Sequence, residues 1–164
     1  MSHMRGLVRA ICVGILAIGA VSCGADVSTT DFNATLVSGG EINLQDQLQN
    51  SPVALWFWAP GWTTCNFEAP SVEAANKKLA GKVLIFGVAW NGSEQSMQDF
   101  VDKHQLTFPN IKDNDGLVFA QFDVAYQPAW VFIQQDGTSE TNLGAMDEVT
   151  LIEMLNQLGG SWWV

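Results

Sequence analysis

Cys65 is the side chain in this sequence with the most distinctive chemistry. It lies in WFWAPGWTTCNFEAP, residues 56–70, where an apolar run passes through a Pro-Gly turn into a segment of helical character. A thiol at the start of a helix suits thiol–disulfide exchange, because exposed N–H groups and the helix dipole stabilise the attacking thiolate. Exchange also needs a second thiol to take over the mixed disulfide. Three residues upstream of Cys65, where that thiol would stand, the chain has Trp62. About one turn inside a helix the dipole is weaker, and burial raises a thiol pKa. Even at an ordinary pKa of about 8.5, only about 3% of a thiol is ionised at pH 7. Cys65 is therefore expected to be a poor nucleophile.

The other cysteines do not supply a partner. Cys12 lies in RGLVRAICVGILAIGAVS, residues 5–22, in which two arginines precede an apolar stretch of signal-peptide length. Cys23 follows Ala20-Val21-Ser22, which resembles a lipobox whose cysteine is lipidated and becomes the first mature residue. Cleavage by an ordinary signal peptidase is the competing reading. Residues 1–23 are thus expected to be an export signal and 24–30 a flexible lead. The folded domain spans 31–160, with a tail at 161–164, outside the cytoplasm and either anchored through Cys23 or secreted. Exported proteins normally pair their thiols, and here only Cys65 is left in the domain.

The charge balance restricts the partners. The chain carries a net charge of −10, and after Cys23 its only basic residues are Lys77, Lys78, Lys82, Lys103 and Lys112. That leaves no basic stripe for nucleic acid. One cysteine and one histidine, His104, in the domain give a metal site little support, and no cofactor is expected.

The elements that must position Cys65 are legible from periodicity. Pro52–Trp58 and Ala129–Ile133 are apolar runs of strand length, as expected of strands buried on both faces, and Lys82–Trp90 is read as a second buried strand. Phe32–Val37, Glu41–Leu48 and Phe108–Ile111 suggest shorter edge elements. Helices are predicted from Thr63 or Thr64, as cap, to about Leu79 with a kink at Pro70. Others are predicted after Asn91-Gly92-Ser93, over Leu117–Phe122, and after Asp147. Met97, Phe100, Val101 and His104 share one face of the second, with His104 a boundary residue. Asp136-Gly137 signals a hairpin into Ser139–Leu143. Strands alternating with helices imply an α/β domain: a central, partly parallel sheet covered on both faces, with antiparallel strands at one side.

Trp58-Ala59-Pro60, Cys65, Glu68-Ala69-Pro70 and Gln127-Pro128-Ala129 together resemble the thioredoxin fold, over about residues 31–158. More narrowly, they are similar to exported DsbE/TlpA-type and DsbF-like actinobacterial thiol-disulfide oxidoreductases, whose members typically carry WAPWCxTCxxEAP. On that pattern Trp62 falls on the first cysteine and Cys65 on the second. Alternatively Gly61 is an insertion, Trp62 is the family's tryptophan and the cysteine is deleted. Either way the resemblance implies a degenerate motif, with the dithiol cycle closed.

The resemblance also assigns roles. Glu68 would lie near the active site, where a carboxylate can relay protons; a solvated helix face is the plainer reading. Pro128 would be a cis-proline shaping the groove and presenting the backbone of Gln127 to a bound peptide, although X-Pro alone favours trans. Trp62, beside Pro60, is either a stacking platform or a cap on the helix. Two functions follow: a monothiol oxidoreductase acting through Cys65 on exported protein or peptide thiols and disulfides, or a redox-inactive module binding peptides near Trp62, Gln127 and Pro128. A covalent dimer through Cys65 is a third, for which a buried cysteine is a poor candidate.

Overall fold

The computed structural model describes residues 29–160. The expected export signal, Cys23 with its expected lipidation, most of the lead and the tail lie outside the described residues. The elements in chain order are β1 (Asn33–Thr35), β2 (Glu41–Asn43), α1 (Leu44–Leu48), β3 (Val53–Trp58), α2 (Thr63–Lys78), β4 (Leu84–Ala89), α3 (Glu94–His104), β5 (Asn110–Lys112), α4 (Leu117–Gln121), β6 (Ala129–Ile133), β7 (Ser139–Leu143) and α5 (Glu148–Leu158).

Five strands form one sheet in the order β5-β4-β3-β6-β7, and β1-β2 form a separate hairpin. β3, β4 and β5 run parallel, while β6 and β7 are antiparallel to their neighbours. β3 is the axis of the fold, buried along its whole length. Because side chains alternate across a strand, its residues divide between two cores. Ala54, Trp56 and Trp58 pack with Trp130 and Phe132 against α2, α3 and α5, whose contributions include Cys65, Val72, Met97, Phe100 and Leu151. Val53, Leu55 and Phe57 pack with Val131 and Ile133 against the short helices α1 and α4, through Leu44, Leu48, Val118 and Phe119. The result is three layers, as the strand–helix alternation predicts.

Local chemistry sets the boundaries. Ser93 caps α3 by accepting from the Ser96 N–H, and Asp147 caps α5 by accepting from Val149 and Thr150. Asp113 accepts from the N–H groups of Val118 and Phe119, both at 3.0 Å, and so seats α4. α2 departs from expectation. Neither Thr63 nor Thr64 is its cap: Trp62 holds that position in an extended conformation, with no side-chain hydrogen bond to the helix. The chain turns one residue earlier than the threonines require, so both hydroxyls fall inside the first turn. α2 runs on through Pro70.

Candidate functional site

The pairing register brings the predicted site residues to one end of the sheet. Trp58 is opposite Ala89 in the parallel β3/β4 pair, and Phe57 is opposite Ala129 in the antiparallel β3/β6 pair. The loop after β3 and the residues before β6 therefore emerge together, at the point where the strand order reverses away from β3. In open α/β sheets that is where ligands bind.

The loop itself is a tight turn. The Trp62 N–H donates to the Ala59 carbonyl at 3.1 Å, and the Trp90 N–H donates to the Trp58 carbonyl at 3.0 Å. Gly92 lets the neighbouring loop press on this turn. A Cβ there would lie 2.6 Å from Pro60 Cγ and 2.8 Å from Ser96 Oγ. Pro60 is half-buried, whereas the Trp62 side chain stands out at 48% exposure. Beside them a cleft of about 430 Å3 opens between the loop and α3, walled by Pro60, Asn66, Phe100 and Lys103.

Cys65 is free and 0% exposed. Burial pushes its thiol up to about 11, and the charge of Glu68 adds to the rise, while hydrogen bonding to the Ala59 backbone offsets part of it. At pH 7 a thiol at about 11 is ionised in roughly one molecule in ten thousand. The sulfur is neither accessible nor charged.

Glu68 is not on a solvated helix face. It is 4% exposed and accepts three hydrogen bonds: from Trp56 Nε1 (2.8 Å), Trp130 Nε1 (3.0 Å) and the Met146 N–H (2.8 Å). The expectation fails because Glu68 shares the inward stripe of α2 with Cys65, Ala69 and Val72. Burial raises its pKa, and the three donors work against that rise. Every polar partner is a neutral donor, so the carboxylate fastens α2 to β3, β6 and the approach to α5. Its role as a proton relay stays an expectation of the resemblance.

On the opposite side of the site Gln127 and Pro128 are buried, and the peptide bond between them is cis. The Pro128 carbonyl accepts from Gly144 N–H at 2.9 Å, whereas the main chain of Gln127 enters no main-chain hydrogen bond among the described residues. Tyr126, one residue earlier, is 51% exposed, and Phe67 on α2 is 80% exposed. The sequence pattern singles out neither. The signal for Phe67 was its place outside the stripe formed by Cys65, Glu68, Ala69 and Val72.

The family model described as AhpC/TSA matches residues 26–140. The chain belongs to the AhpC/TSA family. It is 38% identical over 140 residues to the soluble secreted antigen MPT53 of Mycobacterium tuberculosis, covering 82% of this chain and 78% of that one. Among solved structures it is similar to M. tuberculosis DsbF, at 32% identity and a TM-score of 0.76, over 80% of this chain and 97% of that one. It is also similar to a secreted M. tuberculosis disulfide oxidoreductase homologous to E. coli DsbE. There the identity is 36% and the TM-score 0.74, over 79% of this chain and 97% of that one.

This AhpC/TSA member is thus a thioredoxin-fold relative of secreted thiol-disulfide oxidoreductases. At this end of the sheet stand the end of β3, the tight turn, the N-terminus of α2 and the cis-proline that precedes β6. The side chain at the helix start is the Trp62 indole. Among the described residues no three metal-ligating side chains converge.

Proposed function

We propose that this protein is an extracytoplasmic thioredoxin-fold module that binds extended segments of exported proteins or peptides at Trp62, Pro60, Gln127 and Pro128, without a dithiol cycle. One observation carries the reading: the single thiol of the domain is sealed at 0% exposure, while the helix-start position three residues before it presents a half-exposed tryptophan. Tryptophan offers a large apolar area with a polar handle, and the unpaired main chain of Gln127 offers strand-like hydrogen bonds to a bound segment.

The family reaction would survive at most as monothiol exchange. The Cys65 thiolate would attack a partner disulfide, expel one partner thiolate and leave a mixed disulfide for an external thiol to resolve. Burial of the sulfur opposes the first step. The secreted mycobacterial relatives support an extracytoplasmic location. Lipidation of Cys23 would hold the domain at the membrane, and loss of radiolabelled palmitate incorporation on Cys23→Ser would establish it.

The test uses DTNB and a thiol-blocked insulin B chain carrying fluorescein. The native protein is expected to label slowly at pH 7 and stoichiometrically in denaturant, to reduce no insulin with excess thiol, and to bind the blocked chain through Trp62. Fast native labelling with insulin turnover would overturn the binding reading in favour of monothiol exchange.

A further inference from the structure

The side-chain amide of Asn66, in the first turn of α2, joins two parts of the molecule. Its Nδ2 donates to the carbonyls of Pro60 (3.1 Å) and Trp62 (3.0 Å). Its Oδ1 faces Lys103 Nζ at 2.7 Å and His104 Nε2 at 3.0 Å, both at the end of α3. Lysine only donates, so the amide oxygen must face α3 and both amide hydrogens must face the loop. The same logic puts the His104 proton on Nε2. Burial and Lys103 hold that imidazole below its ordinary pKa. Nε2–H donates in the neutral and the charged ring alike, so the contact persists in both.

The polarity of this arrangement is the reverse of a helix cap. A capping side chain accepts from the N–H groups of the first turn. Asn66 instead donates to carbonyls: that of the cap residue Trp62, which also takes the first helical bond from the Asn66 main-chain N–H at 3.1 Å, and that of Pro60, which lies outside the helix and which helix stability does not account for. What it holds is the loop. The Trp62 N–H is fixed to Ala59 on one side, and Asn66 grips the carbonyls on either side of Gly61 from the other. On its Cβ side Gly61 is open, since a Cβ placed there would meet nothing within 4 Å. The far end of the linkage is seated in the core: the His104 ring packs 4.5 Å from Phe100, which stacks on Trp58 at 4.2 Å.

We propose that Asn66 is a positioning residue, which registers the Trp62 loop against α3 and so sets the direction in which the indole meets a bound segment. This rests on the reading of Trp62 as the contact surface. Its consequence is that Lys103 and His104, neither of them in the Trp62 loop, control the presentation of the platform.

Asn66→Asp is the discriminating variant. It keeps acceptors for Lys103 and His104 but turns an anionic oxygen on two carbonyls. Trp62 is read apart from the other tryptophans as the difference in acrylamide quenching between each protein and its Trp62→Phe counterpart. In Asn66→Asp the Trp62 quenching constant is expected to rise about twofold with circular dichroism unchanged. The affinity for the fluorescein-labelled, thiol-blocked insulin B chain is expected to fall roughly tenfold, about what two lost hydrogen bonds allow. An unaltered quenching constant in the folded variant overturns the proposal. Should Asn66→Asp not fold, Lys103→Met with His104→Phe severs the α3 side, and no change there is equally fatal. Raised quenching beside a wild type that binds no peptide would uphold the positioning role and sink the binding function instead.

Discussion

Trp56 and Trp130 lie directly opposite each other across β3 and β6, and their two indole N–H groups converge on the two oxygens of one carboxylate, Glu68. The rings themselves are stacked with centroids 6.2 Å apart. A tryptophan buried in a sheet needs an acceptor for its N–H, and two neighbouring ones need an acceptor with two oxygens. Glu68 meets that demand from the helix above while also taking the Met146 N–H.

Replacing Glu68 should therefore loosen the layer between sheet and α2. Glu68→Gln sets an NH2 against an N–H donor, and about 1–3 kcal/mol of stability is expected to go with the unsatisfied group. Glu68→Ala orphans all three donors and should cost more. Urea unfolding will show the midpoint fall with the m-value unchanged. The pH dependence has a definite sign. The folded-state pKa of Glu68 lies above its value of 4.5 in the unfolded chain, so the folded state binds the extra proton between the two. The Glu68 contribution then rises as pH falls through the folded pKa towards 4.5, and is lowest at neutral pH. The stability gap between wild type and Glu68→Gln should widen over that acid window, and a gap that narrows instead would contradict the assignment.

Cys65 should react like a high-pKa thiol. With its pKa near 11, native alkylation by iodoacetamide should climb about tenfold per pH unit from 7 to 10, without the plateau near 8.5 that an exposed cysteine shows. A plateau below pH 9 would place the sulfur in water.

Trp62→Cys tests the reading of the motif. The cap position and Cys65 lie three residues apart on one helical turn, where side chains are about 5–6 Å apart at Cβ and a disulfide can close with modest adjustment. Oxidation is expected to remove both thiols from DTNB titration in denaturant, without dimer formation on non-reducing gels, and insulin reduction should appear. Two titratable thiols after oxidation would mean that the insertion alignment describes this loop better.

Beneath the site, Gly87 allows Trp58 Nε1 to reach Asn110 Oδ1 at 3.0 Å. A Cβ on Gly87 would collide with Asn110 Oδ1 and come within 2.6 Å of Trp58 Nε1. Gly87→Ala is expected to cost about 1–3 kcal/mol, as overpacked cores do, and to lower the thermal midpoint by several degrees.

The strands were the easiest elements to read. Val53–Trp58 and Ala129–Ile133 are apolar at every position, and only a strand covered on both faces uses such a run at that length. The hairpin at Asp136-Gly137 and the cap at Asp147 were equally plain, because both depend on local backbone chemistry. The misreadings came from α2. Two threonines beside a helix start look like caps until the turn is known to close at Trp62. Glu68 looks solvated until its neighbours at Cys65 and Val72 are weighed against its charge, along with the two indoles that need acceptors. The Asn66 linkage joins residues 37 and 38 positions apart, a distance over which no periodicity reports.

The placement of Cys65 also bears on how the chain survives its surroundings. In an oxidising compartment an odd thiol invites adventitious cross-links. There the hazard would last mainly while the polypeptide is unfolded, because docking α2 on the sheet buries the sulfur. Mixed disulfides at Cys65 would then mark molecules that have not finished folding, and a buried thiol becomes a ledger of maturation.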